Sequence, residues 1–265
     1  MSFLKIKKII KIKVYLLTLQ FFKSKIMTPK ILGNLYLIPT TLGDCVPSDV
    51  LPDCIKKIIE IVDYYIFENE KTGRKSIKLT NPAKVQADLK ISILNKHTEK
   101  KEHFEMLQPC LNGHNVGLMS EAGCPGIADP GAVIAKLAHE KGIKVVPLVG
   151  PSSIFLALMA SGMNGQNFAF NGYIPIDKSE KKVTLKIFEK LSSEKNQTQI
   201  FMETPYRNNK MLEDILSALH PETRLCVATD ITLETEFIKT LSIAEWKKTK
   251  IDLHNRPCIF VLHKF

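Results

Sequence analysis

The sequence predicts an α/β protein made of two α/β domains with a ligand-binding cleft between them. From Gly33 onward, short apolar runs alternate with amphipathic segments, which is the pattern of strands alternating with helices. The pair Gly150 and Pro151 interrupts this pattern near the middle, as a short hinge would. The 265 residues are enough for two hydrophobic cores. We therefore expect a basic extension at 1–32, an N-terminal domain at 33–150 and a C-terminal domain at 151–265.

The first half predicts a mostly parallel sheet covered by helices. Expected strands lie at 35–39, 64–67, 91–94, 115–120 and 143–148, and expected helices at about 52–62, from 72, at 99–111 and at 130–141. The last helix has the clearest ends, with Asp129 as its N-cap, Pro130 at its first position and Gly142 just past its end. Its apolar residues Val133, Ile134 and Leu137 would face the sheet.

The second half predicts a mixed or antiparallel sheet. Expected helices run from Ser152 or Ser153 to about 162, at 181–191 and at 208–219, and expected strands lie at 168–173, 199–203, 224–229, 236–240 and 257–263. The last three strands are close in the sequence. Short connections of this kind favour antiparallel pairing.

The net charge of +10 is concentrated at the start of the chain. Residues 1–26 carry seven lysines and no acidic residue, which leaves +3 for the remainder. The body therefore permits an RNA substrate without demanding one. We interpret the leading segment as a disordered extension or an upstream start before Met27. The alternatives are a signal peptide and a basic helix on a membrane surface. No segment is long and apolar enough to cross a bilayer.

The six cysteines exclude some classes of site. They include no CxxC pair and no Cys/His cluster with metal-ligand spacing, so we expect no metal. A reducing cytoplasm fits this cysteine usage best.

The segment 118–151 is the strongest candidate for a ligand site. An apolar strand breaks into the small-residue loop EAGCPGI, and a helix and a second strand follow. In such βαβ units the ligand usually lies beyond the carboxyl ends of the strands. Neither GxGxxG nor GxxxxGK[ST] occurs, which argues against a Rossmann dinucleotide site and a P-loop. The alternative is a tight turn with only a structural role.

Four ordered motifs carry a family resemblance: IPTTLGD at 38–44, SEAGCPGIADPG at 120–131, VPLVGPSS at 146–153 and FMETPYR at 201–207. Together they resemble the tetrapyrrole-methylase superfamily of S-adenosylmethionine-dependent methyltransferases. The likeness is greatest to the bacterial branch that methylates the 2′-oxygen of a cytidine in small-subunit ribosomal RNA. It extends from Gly33 to the C-terminus.

The chain departs from that branch on the substrate side. It has ENEKTGR at 68–74 where the branch reads EDTRHT, SEAG with Glu121 in place of aspartate, and ETPYR with Tyr206 in place of histidine. The segment LNKHTE still matches at His97 and Glu99, which favours the ribosomal branch over the porphyrin enzymes.

The resemblance implies a cytoplasmic homodimer that binds S-adenosyl-L-methionine between its domains, with ribosomal RNA or the small ribosomal subunit as partner. The loop at 39–43 would close over the reacting centre, the glycine-rich loop would hold the methionine end, and the turn after 150 would line the adenosine. The implied cofactor-binding residues are Pro39, Ala122, Gly123, Cys124, Pro125, Ile127, Asp129, Gly150, Ser152, Ser153, Tyr173, Met202 and Ala228. Two other functions stay open: methylation of a porphyrin or corrin, and binding of the cofactor without catalysis.

Methyl transfer to a ribose hydroxyl needs alignment and a group that takes or shares the proton. The candidates are Glu68, His97, Glu121 and Glu203, although each of these has a purely structural alternative, such as pairing with an arginine or capping a turn. We rank Glu203 with Arg207 as an orienting pair, and Glu68 and His97 as substrate-side residues.

One basic segment is the candidate for RNA contact. Lys71, Arg74, Lys75 and Lys78 would follow a single-stranded backbone. An ordinary solvated helix face is the alternative.

Overall fold

The computed structural model describes residues 31–95 and 97–265. These residues contain two five-stranded sheets, one in each half of the sequence. The interpretation of residues 1–26 lies outside these described residues. The two-sheet arrangement confirms the predicted α/β class.

The first sheet is entirely parallel, with strand order β3-β2-β4-β1-β5. Its strands are β1 (Leu35–Leu37), β2 (Tyr64–Phe67), β3 (Lys90–Ile93), β4 (Val116–Met119) and β5 (Val145–Pro147). The helices of this half are α1 (Pro47–Val50), α2 (Asp53–Ile61), α3 (Glu70–Thr80), α4 (Lys100–Met106), α5 (Gln108–Leu111) and α6 (Gly131–Glu140). Parallel pairing confirms the expectation for this half.

Both faces of the first sheet are covered. Successive residues of a strand point to opposite faces, and in β2 the side chain of Ile66 joins one buried cluster while those of Tyr65 and Phe67 join another. Helix α6 contributes Ile134 to the first cluster and α2 contributes Ile55 to the second. This double burial explains why the strands read as continuous apolar runs.

Two details of the predicted helices are wrong. The single helix expected at 99–111 is broken at Leu107 into α4 and α5. Pro109 explains the break. A proline inside a continuous helix has no backbone N–H for the helical hydrogen bond, and its ring clashes with the carbonyl four residues earlier. In α6 the helix turns Ile134 and Ala138 inward and leaves Val133 40% exposed, so Val133 does not face the sheet.

The second sheet is mixed, with strand order β6-β7-β10-β8-β9. Its strands are β6 (Phe168–Tyr173), β7 (Thr198–Met202), β8 (Arg224–Thr229), β9 (Phe237–Ser242) and β10 (Cys258–His263). The helices are α7 (Ser153–Ser161), α8 (Lys178–Lys195), α9 (Asn208–Ala218) and α10 (Ile243–Trp246). Strands β6 and β7 are parallel and the other pairs are antiparallel, which confirms the expected mixed sheet.

We propose that the boundary between the domains lies at Gly150 and Pro151. Strand β5 ends three residues before Gly150, and α7 begins two residues after Pro151. Helix α7 packs on β8, β9 and β10 of the second sheet. Between β5 and α7 the chain therefore passes from the first sheet to the second.

Replacing Lys181 with methionine should destabilise the second half of the molecule. The Lys181 ammonium lies 3.0 Å from the Asp214 carboxylate, and both side chains are buried between α8 and α9. Lys210, an exposed residue, is the second partner of Asp214 at 3.3 Å. Because a buried carboxylate would lose its closer cation, we expect a loss of about 3 kcal/mol in the free energy of unfolding, measured by urea denaturation.

The exposed neighbour Lys182 provides the control, since Lys182→Met should leave the free energy of unfolding unchanged.

Burial acts to raise the pKa of Asp214, but Lys181 and Lys210 outweigh it and lower the pKa below its usual value. The stabilisation is therefore present at neutral pH and is lost as the pH falls through the lowered pKa. A Lys181→Met variant as stable as the wild type would contradict this account.

Candidate functional site

Three loops converge at one edge of the first sheet. Strand β1 lies between β4 and β5, so the loops at the carboxyl ends of all three strands are neighbours. The Thr40 amide donates to the Gly123 carbonyl at 2.9 Å, and the Cys124 thiol donates to the Pro151 carbonyl at 3.4 Å. The structure thus brings together the loop after 39, the glycine-rich loop and the turn after 150.

The glycine-rich loop depends on backbone angles that favour glycine. Gly123 has φ of +74° and Gly126 has φ of +85°. The Asp129 carboxylate accepts hydrogen bonds from the Gly126 amide at 2.9 Å and from the Gly131 amide at 2.6 Å. Asp129 therefore ties the loop to the start of α6, although the N-cap position itself is Pro130.

Pro39 and Gly150 are in direct contact. A Cβ atom built on Gly150 would lie 2.3 Å from the Pro39 side chain. Only a residue without a side chain fits there. The contact holds the loop after β1 against the turn that leads into the second half.

A cavity of about 280 Å³ lies between the two halves. Its walls include five of the residues predicted to bind the cofactor: Ala122, Ser153, Tyr173, Met202 and Ala228. Glu203 also lines it. Residues separated by about a hundred positions thus meet at one place, and their binding role remains a prediction.

The other predicted cofactor residues do not line this cavity. Gly123 and Cys124 belong to the loop contacts described above, and Ser152 is at the N-cap of α7. Pro125 and Asp129 line a narrow crevice together with Glu68. Ile127 of the glycine-rich loop is about half-exposed, at 45%.

Sequence reasoning missed the loop that follows β8. Asp230 and Ile231 line the cavity, and Leu233 packs so tightly on Gly43 that a Cβ there would lie 2.8 Å from it. The Asp230 carboxylate accepts from Arg256 Nε at 2.7 Å and from the Thr235 hydroxyl at 3.0 Å. The available signal was an aspartate directly after a buried apolar strand.

Glu203 and Arg207 form the pair that the sequence suggested. Glu203 Oε1 accepts from Arg207 Nη2 at 2.6 Å and from the Thr204 amide at 2.7 Å. Burial acts to raise the pKa of Glu203, but the hydrogen bonds from Arg207 and Thr204 outweigh it and lower the pKa. Such a carboxylate holds its negative charge firmly and is a weak proton acceptor.

Glu68 has the opposite electrostatic environment. Burial raises its pKa, and the neighbouring carboxylates of Asp129 and Glu121 raise it further. A carboxyl with a raised pKa is a stronger base, which is what proton transfer near neutral pH requires. Glu68 follows β2 at the same edge of the sheet as the glycine-rich loop.

His97 lies apart from these residues. It is exposed on the turn after β3, the edge strand, and its backbone amide donates to the Asn95 side chain at 2.8 Å. It lines none of the cavities described here. Its catalytic role stays a prediction without a contact that supports it.

The basic segment forms one face of α3, because Lys71, Arg74, Lys75 and Lys78 are spaced by three, one and three residues. Within residues 31–95 and 97–265, two of the four side chains, Arg74 and Lys75, have an ion-pair partner. Arg74 binds Glu70 at 2.8 Å and the Gln86 carbonyl at 2.6 Å, and Lys75 binds Asp44 at 2.7 Å.

Residues 31–95 and 97–265 contain no group of three or more His, Cys, Asp or Glu side chains arranged to hold a metal ion. Within the same ranges, no helix has the length and apolar character to span a membrane.

The two sheets and the cavity between the halves show which class of protein the chain belongs to: α/β proteins with two sheets and a cleft between them. The family model for tetrapyrrole (corrin/porphyrin) methylases matches residues 52–246. The chain belongs to this family, and it is a methyltransferase. The resemblance inferred from the four motifs is confirmed.

Curated relatives and solved structures agree with this membership. The chain is 30% identical to ribosomal RNA small subunit methyltransferase I of Vibrio cholerae over 80% of its own length and 69% of the relative. It is 31% identical to the protein of that name from Buchnera aphidicola (Acyrthosiphon pisum), over 88% and 80%. A crystal structure of the methyltransferase CobJ shares the fold, with a TM-score of 0.59 at 12% identity over 88% of this chain and 94% of that one.

Proposed function

We propose that the protein transfers a methyl group from S-adenosylmethionine to the 2′-hydroxyl of a cytidine in small-subunit ribosomal RNA. The observation that carries the proposal is the cavity between the halves, where Ala122, Ser153, Tyr173, Met202 and Ala228 meet. The names of the relatives, ribosomal RNA small subunit methyltransferase I, support the RNA substrate. Family membership supports the cofactor.

The residues around the cavity fit a cationic cofactor. A volume of about 280 Å³ is near the lower end of the range for small-molecule sites, roughly 300 to 1,000 Å³. Met202, Ala228 and Ile231 offer an apolar wall, while Glu68 and Glu121 give the neighbouring sheet edge a negative potential. Negative potential suits a molecule that carries a sulfonium and an ammonium group. When bound, the cofactor supplies an electrophilic methyl group.

The chain itself contributes alignment and a base. The glycine-rich loop and the turn after Gly150 hold one reactant against the sheet edge, and alignment of this kind is potentially worth roughly 7 to 11 kcal/mol of barrier. Glu68 accepts the proton of the ribose hydroxyl. Glu203, held by Arg207, keeps the wall of the cavity in place, and the Glu203 carboxylate stays negatively charged.

The assembly we propose is a cytoplasmic homodimer that acts on ribosomal RNA or the small ribosomal subunit. Helix α7 supports the dimer, because Phe155 and Met159, one turn apart on the same face, are 50% and 78% exposed. Large apolar side chains grouped on a surface are typical of protein interfaces.

A labelling experiment tests the function. The purified protein is incubated with methyl-labelled S-adenosylmethionine and, in parallel, with small ribosomal subunits, naked ribosomal RNA or uroporphyrinogen. We expect label in the RNA of the first or second sample, at a 2′-O-methylcytidine after nuclease digestion. Label in uroporphyrinogen would instead support a tetrapyrrole substrate. Binding of the cofactor without transfer to any sample would contradict the proposed RNA substrate and favour the non-catalytic alternative.

A further inference from the structure

A second cavity lies beside the first and belongs to the N-terminal half alone. It has a volume of about 260 Å³ and lies between α3 and the loop at 40–44, with Glu121 at one side. We call it the acceptor trough. Leu42 lines both cavities, and Glu121 of the trough is the chain neighbour of Ala122 in the cleft. The trough therefore adjoins the proposed cofactor position.

We propose that the acceptor trough receives the target as a single unstacked nucleotide, with a phosphate bound by Lys75 in place of Asp44. This inference rests on the function proposed above and names the binding site of its substrate.

The lining of the trough suits a nucleotide. The hydroxyl of Thr41 donates to the Gly43 carbonyl and that of Thr72 to the Asn69 carbonyl, so each oxygen retains lone pairs that can accept from a base amino group. Leu79 adds an exposed apolar side chain. The Glu121 carboxylate can accept from ribose hydroxyls, a role that carboxylates have in other nucleotide sites.

The size of the trough favours one nucleotide over a macrocycle. At about 260 Å³ the trough is close in volume to the cavity between the halves, near the lower end of the range for small-molecule sites, roughly 300 to 1,000 Å³. Enzymes that modify a base or ribose take the target nucleotide out of its stack and into a pocket. A flat tetrapyrrole is much larger than a single nucleotide and would need a wider opening.

The ion pair between Lys75 and Asp44 is exposed and weak, so Lys75 can exchange Asp44 for a phosphate. The two side chains join α3 to the loop after β1 at 2.7 Å, yet they are 59% and 89% exposed. An exposed pair of this kind contributes little to stability, so replacing the carboxylate with a phosphate costs little. Lys71 and Lys78 extend the same helix face and would meet the adjoining backbone.

Three substitutions test the trough. Ser76→Trp fills it, Lys75→Gln removes the cation, and Asp44→Asn releases that cation from its internal partner. We expect Ser76→Trp to abolish RNA methylation and Lys75→Gln to raise the KM for the RNA substrate by roughly tenfold, the value of one charge-assisted hydrogen bond. Asp44→Asn should leave that KM unchanged or lower it. All three should bind S-adenosylmethionine with wild-type Kd.

The matched control is Lys57→Gln, an exposed lysine on α2 outside both cavities, which should have wild-type kinetics. If the ion pair were merely structural, Asp44→Asn would be as damaging as Lys75→Gln, and that result overturns the proposal. So would a normal KM in both Ser76→Trp and Lys75→Gln, or loss of cofactor affinity in Ser76→Trp. Wild-type protein that methylates no RNA would refute the proposed function itself, whereas active wild type with unaffected variants refutes only the trough.

Discussion

Replacing Gly123 with valine is expected to weaken the binding of S-adenosylmethionine by roughly ten- to a hundredfold. Its φ of +74° strains any residue with a side chain, at a cost of about 1 to 3 kcal/mol. A Cβ there would also lie 3.0 Å from Leu42 and 3.2 Å from the Pro151 carbonyl. The loop would have to move away from both neighbours, and with it the backbone that is proposed to hold the cofactor. Isothermal titration calorimetry with the cofactor and its demethylated product measures the effect.

Gly142 provides a matched control for this substitution. It has a similar φ of +69°, but a Cβ built there has no atom within 4 Å, and it lies at the far end of α6. Gly142→Val should therefore lower stability by about 1 to 3 kcal/mol, the cost of the same backbone strain, and leave cofactor affinity unchanged. Equal affinity losses in the two variants would mean that backbone strain alone, and not this loop, governs binding. Unchanged affinity in Gly123→Val would remove the loop from the site.

Glu68→Gln is expected to lower kcat by roughly 10² to 10⁴ with little change in cofactor affinity, because it removes the group proposed to take the ribose proton. In the wild type, kcat should rise with pH through the raised pKa of Glu68, since only the deprotonated carboxyl can accept a proton. The glutamine variant should lack this rise. Single-turnover rates across the acidic to neutral range measure both effects.

Stability separates a catalytic role of Glu68 from a structural one. A carboxyl whose pKa is raised by folding is stabilised in its protonated form, so as the pH rises through that pKa its ionisation destabilises the fold. Glu68→Gln should thus have a Tm at neutral pH equal to or above that of the wild type, together with low activity. A lowered Tm with normal kcat would indicate that Glu68 only supports the loops.

Most of the elements could be predicted because their signals are local. Strands β2, β6 and β8 have the bounds that the sequence indicated, and α6 ends just before the predicted Gly142. The helix expected at 99–111 is divided in two because of Pro109, whose effect on a helix is also local.

The cofactor side of the site could be predicted only through the family resemblance. Ala122, Ser153, Tyr173, Met202 and Ala228 were inferred from the resemblance, and the structure brings all five to one cavity. Asp230 and Leu233 lie outside the four motifs, and although two motifs supply residues of the acceptor trough, neither motif indicated that they form a cavity with α3. Their positions depend on how a loop of the second half packs on Gly43 and how α3 lies beside the loop after β1.

The sequence by itself determined the order of strands and helices, the four motifs and the family, because periodicity, proline, glycine and short motifs act over a few neighbouring residues. The tertiary structure decided which of those residues meet. Placing β1 between β4 and β5 brings three distant loops together, and burial beside Asp129 and Glu121 distinguishes Glu68 from Glu203 as a base. Distances and electric fields between residues far apart in the chain exist only once the sheets have formed, so no local pattern can encode them.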